Sequence, residues 1–367
     1  MPISLVFGCF MTQRSTCFSG LVVGGFIVLA TIGWWVNRNR LVAVVCEPTA
    51  VMGTTCTLIA IVPAHRVSAT DTASSDAEKS LRRIEARMSS WIDASEISVF
   101  NRAVAGRDIR LSESTRQVLS KAREANDSTG GAFDVTCRPL IELWRSADET
   151  NMMPTDAEIA AARDQSNWSY IELGQSTARK TVDTARVDLG GVAKGYAIDQ
   201  AVQVLKDSGI ESGLVDIGGD QRFWGGDLDG KPQKVAIRDP LGDEETAVFE
   251  LTVHTCAVCT SGDYARSLKI GDQSFSHIID PRTGKPVDGV ASVTVFASDA
   301  LTADIWATAL SVKGIEGLKE LPSGIDALML VRRQGDATAR FEALASPELA
   351  DRIIGPLPDS VEVIEPN

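Results

Sequence analysis

The chain has 367 residues, with 36 Lys and Arg against 49 Asp and Glu, a net charge of −13, and 44% of its residues hydrophobic. At about 150 residues per domain this allows one large domain or two of medium size, and the composition is that of an ordinary globular chain rather than a disordered or disulfide-dense one. The acidity argues against a nucleic-acid binder, which presents a basic face, and only three histidines leave little room for a histidine-built zinc or iron site.

The apolar residues are unevenly spread. Residues 17–36 read CFSGLVVGGFIVLATIGWWV, twenty residues without a charge, long enough to cross the ~30 Å hydrocarbon layer as a helix. Trp34 and Trp35 close the run and Arg38 and Arg40 follow it, as at a membrane interface. The expectation is one N-terminal transmembrane helix in an anchor over 1–40. A cleaved signal peptide is the alternative, although its apolar region is usually ~7–15 residues and the bulky residues here make a poor cleavage site.

Beyond the anchor, 41–46 and 55–62 predict strands around a turn. Residues 76–91 predict a helix with Leu81, Ile84, Met88 and Trp91 on one face. A second helix is expected at about 113–127, ending at Gly130 and Gly131, and Thr155 with Glu158 forms a capping box that opens a short helix. Val187 and Asp188 are expected to end a strand, after which Gly190 and Gly191 turn the chain into a helix reaching Ser208. Strands follow at 213–217, 234–238, 247–254, 256–260, 275–279 and 290–297, then a helix at 300–312 and a strand near 327–332. The Pro-containing, acidic end, 357–367, predicts a surface tail. Strands outnumber crossover helices, which indicates α+β with largely antiparallel, mixed sheets flanked by helices. No linker interrupts the chain after residue 40, so 41–356 is expected to be one catalytic unit, with room for two lobes.

Of seven cysteines, Cys256 and Cys259 form a C-x-x-C pair. No second pair at zinc-ribbon spacing accompanies it, and the string AVCTSG reads as a buried strand in which cysteine is a small hydrophobe.

Four segments carry more polar and glycine content than a structural element needs. In DLGGVAKGYAID, at 188–199, an acid, two glycines and Lys194 at a helix start have the makings of a phosphate site, since free N–H groups and the helix dipole favour anions. The spacing matches neither a Walker A loop nor G-x-G-x-x-G, and a plain strand–turn–helix junction reads equally well. In TADIWATAL, at 302–310, Asp304 and Thr308 are helix neighbours four apart. A carboxylate and a hydroxyl on one face suit a hard cation such as Mg²⁺, while a back-bonding threonine and a helix-terminal acid are the structural alternative. His277 leads into the turn DPRTG; a lone histidine is commonly structural, but beside an acidic turn it can serve as an acid or base. In VDIGGD, at 215–220, paired glycines permit close backbone approach to a ligand.

Together and in order, these segments resemble the ApbE family of FAD:protein FMN transferases. The strings carrying the resemblance are MGTT (52–55), SSWIDASEISVFN (89–101), STGGAFDVT (128–136) with RPLIELW (138–144), DLGGVAKGYAID, VDIGGD, CTSGDYAR (259–266), SHIIDPRTGKPV (276–287) and TADIWATAL. The resemblance implies an ApbE-like, T-fold-like α+β fold. It also implies an enzyme that takes FAD and Mg²⁺, attaches FMN through a phosphoester to a Thr or Ser hydroxyl of a partner flavoprotein, and releases AMP. It places Met52, Trp91, Ala132, Phe133, Asp134, Asp188, Lys194 and His277 around FAD. It puts the metal at Asp304, Thr308 and the Gly191 carbonyl, and implies catalytic roles for His277, Asp304 and Lys194. The family usually has Tyr where Trp91 stands, so stacking on a flat ring is kept and a phenol hydrogen bond is lost. The implied acceptor is a subunit of a membrane or exported redox system, and the implied location is the bacterial inner membrane with the catalytic unit on its extracytoplasmic side. Two alternatives remain open: a Mg²⁺-dependent FAD pyrophosphatase yielding AMP and FMN, and a non-catalytic FAD-binding protein of a membrane redox complex.

Overall fold

A computed structural model describes residues 38–240, 247–262, 267–332, 341–349 and 361–364. Its centre is a nine-stranded sheet in the order β1-β2-β6-β7-β10-β15-β16-β17-β18. These strands are β1 (Leu41–Cys46), β2 (Cys56–Pro63), β6 (Ser212–Ile217), β7 (Asp220–Trp224), β10 (Cys256–Gly262), β15 (Val290–Ala297), β16 (Asp326–Arg332), β17 (Phe341–Ala345) and β18 (Val361–Val363). Neighbours run antiparallel except β17 and β18, which are parallel.

Side-chain alternation sends the sheet's residues into two cores. Val215, Ile217, Cys259, Val293, Val295 and Met329 face helices α1 (Val67–Met88), α6 (Ala193–Asp207) and α7 (Ala300–Lys313). Phe223, Val258, Phe296, Leu328 and Leu330 pack instead with a ribbon of β8 (Gln233–Arg238) and β9 (Ala247–Val253). Strand β15 is buried along its whole length, which is why its sequence, VASVTVFA, is largely apolar and its Ser292 and Thr294 are buried with it. Cys256 and Cys259 are buried strand residues, and Cys259 faces α7 through a contact from its Sγ to the Ala300 carbonyl at 3.6 Å.

A third core joins α4 (Arg138–Thr150) and α5 (Asp156–Gln165) to β11 (Ser267–Ile270), β12 (Gln273–Ser276) and the short pair β13 (Ile279–Asp280) and β14 (Lys285–Pro286), around Leu140, Trp144, Ile159, Ile270 and Ile279. Helix α5 opens with the expected capping box: Glu158 accepts from the Thr155 N–H at 2.8 Å and its own N–H donates to Thr155 Oγ1 at 3.3 Å. Helices α2 (Glu96–Arg102) and α3 (Glu113–Ser128), with a small sheet of β3 (Ile109–Arg110), β5 (Thr177–Lys180) and β4 (Ile171–Leu173), complete this side.

Several expectations are corrected. Among the described residues no helix is long and apolar enough to cross a membrane. No described helix therefore supplies the expected transmembrane helix, and the stretch 17–36 on which it rested lies outside the described residues. Helix α1 starts at Val67, well before residue 76, because small Thr70, Ala73 and Ser74 bury a polar-looking stretch that carries no strong apolar period. It ends at Met88, so Trp91 leaves the predicted face and is 74% exposed. Ser95 Oγ turns the chain there by donating to the Ser89 carbonyl at 2.6 Å. Val187 and Asp188 belong to no strand. The Asn101 side chain takes the place of a neighbouring strand, accepting from the Val187 N–H and donating to its carbonyl, both at 2.8 Å. Finally, residues Val361–Val363 of the expected surface tail are an edge strand paired with β17.

Candidate active site

The site forms where the first turns of α6 and α7 meet the β6–β7 hairpin. Each helix start has free N–H groups that need acceptors. At α6 the N-cap residue, Val192, makes no side-chain cap. The acceptor comes from α7: Asp304 Oδ2 takes the Gly195 N–H at 3.0 Å. The helices approach closely enough that a Cβ on Gly195 would lie 2.2 Å from the Ala300 carbonyl oxygen.

Lys194 projects from this turn and its Nζ donates to Asp220 Oδ2, at the start of β7. The other Asp220 oxygen accepts from the Thr260 N–H at 3.0 Å. Asp220 and Asp304 are both buried, so two carboxylates share one ammonium. Burial, then the neighbouring Asp220 charge, pushes the Asp304 carboxyl up to about 7, against the lowering effects of Lys194 and the Gly195 N–H. Burial alone would lower the Lys194 ammonium, but Asp220 and Asp304 outweigh it and hold the group above the ordinary lysine value.

Gly191 lies in the turn that leads into α6, and a Cβ there would lie 3.0 Å from Thr308 Oγ1 and 3.4 Å from Phe133. The predicted metal donors Gly191, Asp304 and Thr308 thus come from one small region, with Ser261 Oγ 3.4 Å from the Thr308 hydroxyl. Their chemistry fits a hard cation: a carboxylate, a hydroxyl and a backbone carbonyl are all oxygen donors.

Asp188 has a separate set of partners. It pairs with Arg138 at 2.8 Å, accepts from Ser90 Oγ at 3.2 Å, and takes the Gly190 N–H at 2.8 Å. Its own N–H donates to the Val135 carbonyl at 2.7 Å, which ties it to the loop bearing Ala132, Phe133 and Asp134. Ala132 and Phe133 are buried. Burial pushes the Asp134 carboxyl up to about 6, although Thr136 donates to it from both its hydroxyl and its backbone, each at 2.7 Å.

Met52 sits at φ 53 in the turn that joins β1 to β2. That turn meets the β6–β7 hairpin: the Gly218 N–H donates to the Thr55 carbonyl at 3.0 Å. Trp91 stands on the surface with the Arg145 guanidinium 4.6 Å from its ring centroid. His277 is partly buried between β12 and β13. The turn after it is anchored on α4 and α7, where Trp144 Nε1 donates to the Gly284 carbonyl at 2.8 Å and Arg282 reaches the Val312 carbonyl at 3.5 Å.

The predicted residues thus fall into a central group (Gly191, Lys194, Asp304 and Thr308, with Phe133 against Gly191) and positions on other segments (Met52, Trp91, Ala132, Asp134, Asp188 and His277). Three residues that complete these clusters were not among the predicted ones: Asp220, Arg138 and Asn101. Asp220 and Arg138 lie in the strings VDIGGD and RPLIELW, so their charge at a loop or helix start was the available signal. Asn101 closes the string SSWIDASEISVFN, but its role depends on a segment far along the chain.

The site is thus a lysine shared by two buried carboxylates at a helix start, set beside oxygen donors on an α+β scaffold. The chain belongs to the ApbE family, whose sequence pattern matches residues 52–329. It is 34% identical over 268 residues to a FAD:protein FMN transferase of Vibrio cholerae, covering 72% of this chain and 80% of that one. It is 31% identical over 277 residues to a FAD:protein FMN transferase of Klebsiella pneumoniae, covering 73% and 78%. Among solved structures, the flavin transferase ApbE from Vibrio cholerae superposes with a TM-score of 0.73 at 30% identity, covering 85% of this chain and 99% of that one. The ApbE protein from Thermotoga maritima gives 0.73 at 28% identity, covering 82% and 97%.

Proposed function

We propose that this chain transfers FMN from FAD to a Thr or Ser hydroxyl of a partner flavoprotein, releasing AMP. The observation that carries the reading is the Lys194–Asp220–Asp304 cluster at the start of α6, in a chain whose family relatives are named for this reaction. The acceptor oxygen attacks the phosphorus on the FMN side of the pyrophosphate. The bond from that phosphorus to the bridging oxygen breaks, AMP departs with the electron pair, and the hydroxyl proton goes to a base.

Lys194 offers positive charge where negative charge grows on the phosphate oxygens. Asp220 orients the ammonium so that it stays charged at neutral pH. His277 is the base in this proposal, a role worth ~10²–10⁴-fold in rate for a well-placed group. Mg²⁺, held by Asp304, Thr308 and the Gly191 carbonyl, would supply Lewis-acid stabilisation of the leaving phosphate. The exposed Trp91 offers a face for a flat aromatic ring, and Phe133 walls the turn at Gly191.

The test is incubation of the full chain with FAD, Mg²⁺ and a flavoprotein domain, followed by denaturing electrophoresis. A flavin-fluorescent acceptor band supports the proposal. Retained FAD binding with no band contradicts it, and AMP with only free FMN would favour hydrolysis instead.

A further inference from the structure

Helices α6 and α7 cap each other. Asp304 of α7 accepts the Gly195 N–H of α6 at 3.0 Å. In return, the two oxygens of Asp199, one turn further along α6, accept the N–H groups of Ala300 and Leu301 at 2.9 and 3.0 Å. Arg222 of β7 grips the same carboxylate, and its strand begins at Asp220, the partner of Lys194. A closed frame results: Asp199 to the start of α7, Asp304 back to the start of α6, Lys194 to Asp220, and Arg222 to Asp199. Asp299 caps α7 at Thr302 at 2.8 Å, so the helix does not depend on Asp199 for its existence. What Asp199 sets is where α7 begins relative to α6.

We propose that Asp199 is a positioning residue for the reaction centre: by holding the start of α7 against α6 it fixes the spacing of Asp304 and Thr308 from Lys194 and Gly191. This rests on the transferase reading of the site. Asp199 touches neither substrate nor cation in this account, so its loss acts on turnover and cation binding through geometry. Small displacements of catalytic groups cost on the order of 10²-fold in rate. Asp199→Ala is therefore expected to lower kcat by ~10–100-fold and to weaken Mg²⁺ binding by ~10-fold, while KM for FAD changes less than about two-fold.

The experiment compares the full-length wild type, Asp199→Ala, Asp199→Asn and Leu344→Ala, which removes a buried side chain of β17 as a general stability control. Asp199→Asn keeps the volume and one acceptor, and is expected to recover part of the loss. Three readouts are taken: kcat and KM for FAD, Mg²⁺ affinity by calorimetry, and amide exchange at Gly195, Ala300 and Leu301. The proposal predicts faster exchange at these three amides and weaker Mg²⁺ binding in the Asp199 variants, with neither change in Leu344→Ala. Wild-type Mg²⁺ affinity and kcat in folded Asp199 variants would overturn it, as would a loss confined to KM or an equal loss in Leu344→Ala. If the wild type itself forms no FMN adduct, the transferase reading fails, and the positioning role is then judged on Mg²⁺ affinity and amide exchange.

Discussion

Replacing Asp304 with Asn should inactivate the enzyme while making the metal-free protein more stable at pH 8. Asn has nearly the shape of Asp, and its carbonyl oxygen can keep the bond from the Gly195 N–H, 3.0 Å long in the native protein. What disappears is a buried charge. The native carboxyl is pushed from 3.8 up to about 7 by burial and by Asp220, so ionising it in the folded state costs on the order of 4 kcal/mol. The sign follows from proton counts. Between pH 3.8 and about 7 the folded state holds more protons at this site than the unfolded one, so stability falls as pH rises through that window. That figure already contains the attraction to Lys194; the Asn amide N–H group, buried without its water partners, costs about 1–3 kcal/mol, leaving a net gain of about 2 kcal/mol. Urea denaturation at pH 5 and pH 8 in EDTA, beside AMP release with Mg²⁺ and FAD, measures both effects. A variant destabilised at pH 8 would refute the electrostatic reasoning, and one with wild-type turnover would refute the role given to Asp304.

Three further outcomes follow from other parts of the site. His277→Ala is expected to lower kcat by ~10²-fold or more with little change in FAD affinity; equal losses in steady-state turnover and equilibrium binding would assign the residue to binding. Gly195→Ala should destabilise the fold by about 1–3 kcal/mol or push α7 outward, since the new Cβ would meet the Ala300 carbonyl at 2.2 Å; thermal melting together with activity detects either response. Asp134→Asn should flatten the pH dependence of stability between 3.8 and about 6, where the native carboxyl takes up a proton on folding. There the wild type loses on the order of 3 kcal/mol as pH rises, and a titration of unfolding midpoint against pH would show an unchanged slope if burial of Asp134 were not the cause.

The elements legible in the sequence were those whose apolar period or caps are local. Strand β1, helix α3, strand β15 and helix α7 fall within a residue or so of where their patterns put them. The first part of α1 was not legible because it is buried through Thr70, Ala73 and Ser74 against the rest of the fold, and small polar residues carry little hydrophobic signal. The segment at 187–188 read as a strand because Val and Asp beside glycines resemble a strand end, yet its partner is the Asn101 amide. The predicted membrane-spanning helix, which no described helix supplies, rested on apolar length and its flanking Trp and Arg residues, 17–36 lying outside the described residues. For the site, Lys194, Asp304, Thr308 and Gly191 were visible as polar interruptions of apolar runs. The pairing of Lys194 with Asp220, and the crossed caps of α6 and α7, exist only after the hairpin and the two helices pack together.

The central claim is group transfer, and its most direct measurement is mass mapping of the acceptor after reaction with FAD and Mg²⁺, run beside quantitation of AMP. The account predicts one Thr or Ser carrying FMN through a phosphoester and one AMP released per adduct formed, both lost in Asp304→Asn. FAD consumption giving AMP and free FMN in equal amounts, with an unmodified acceptor, would contradict it.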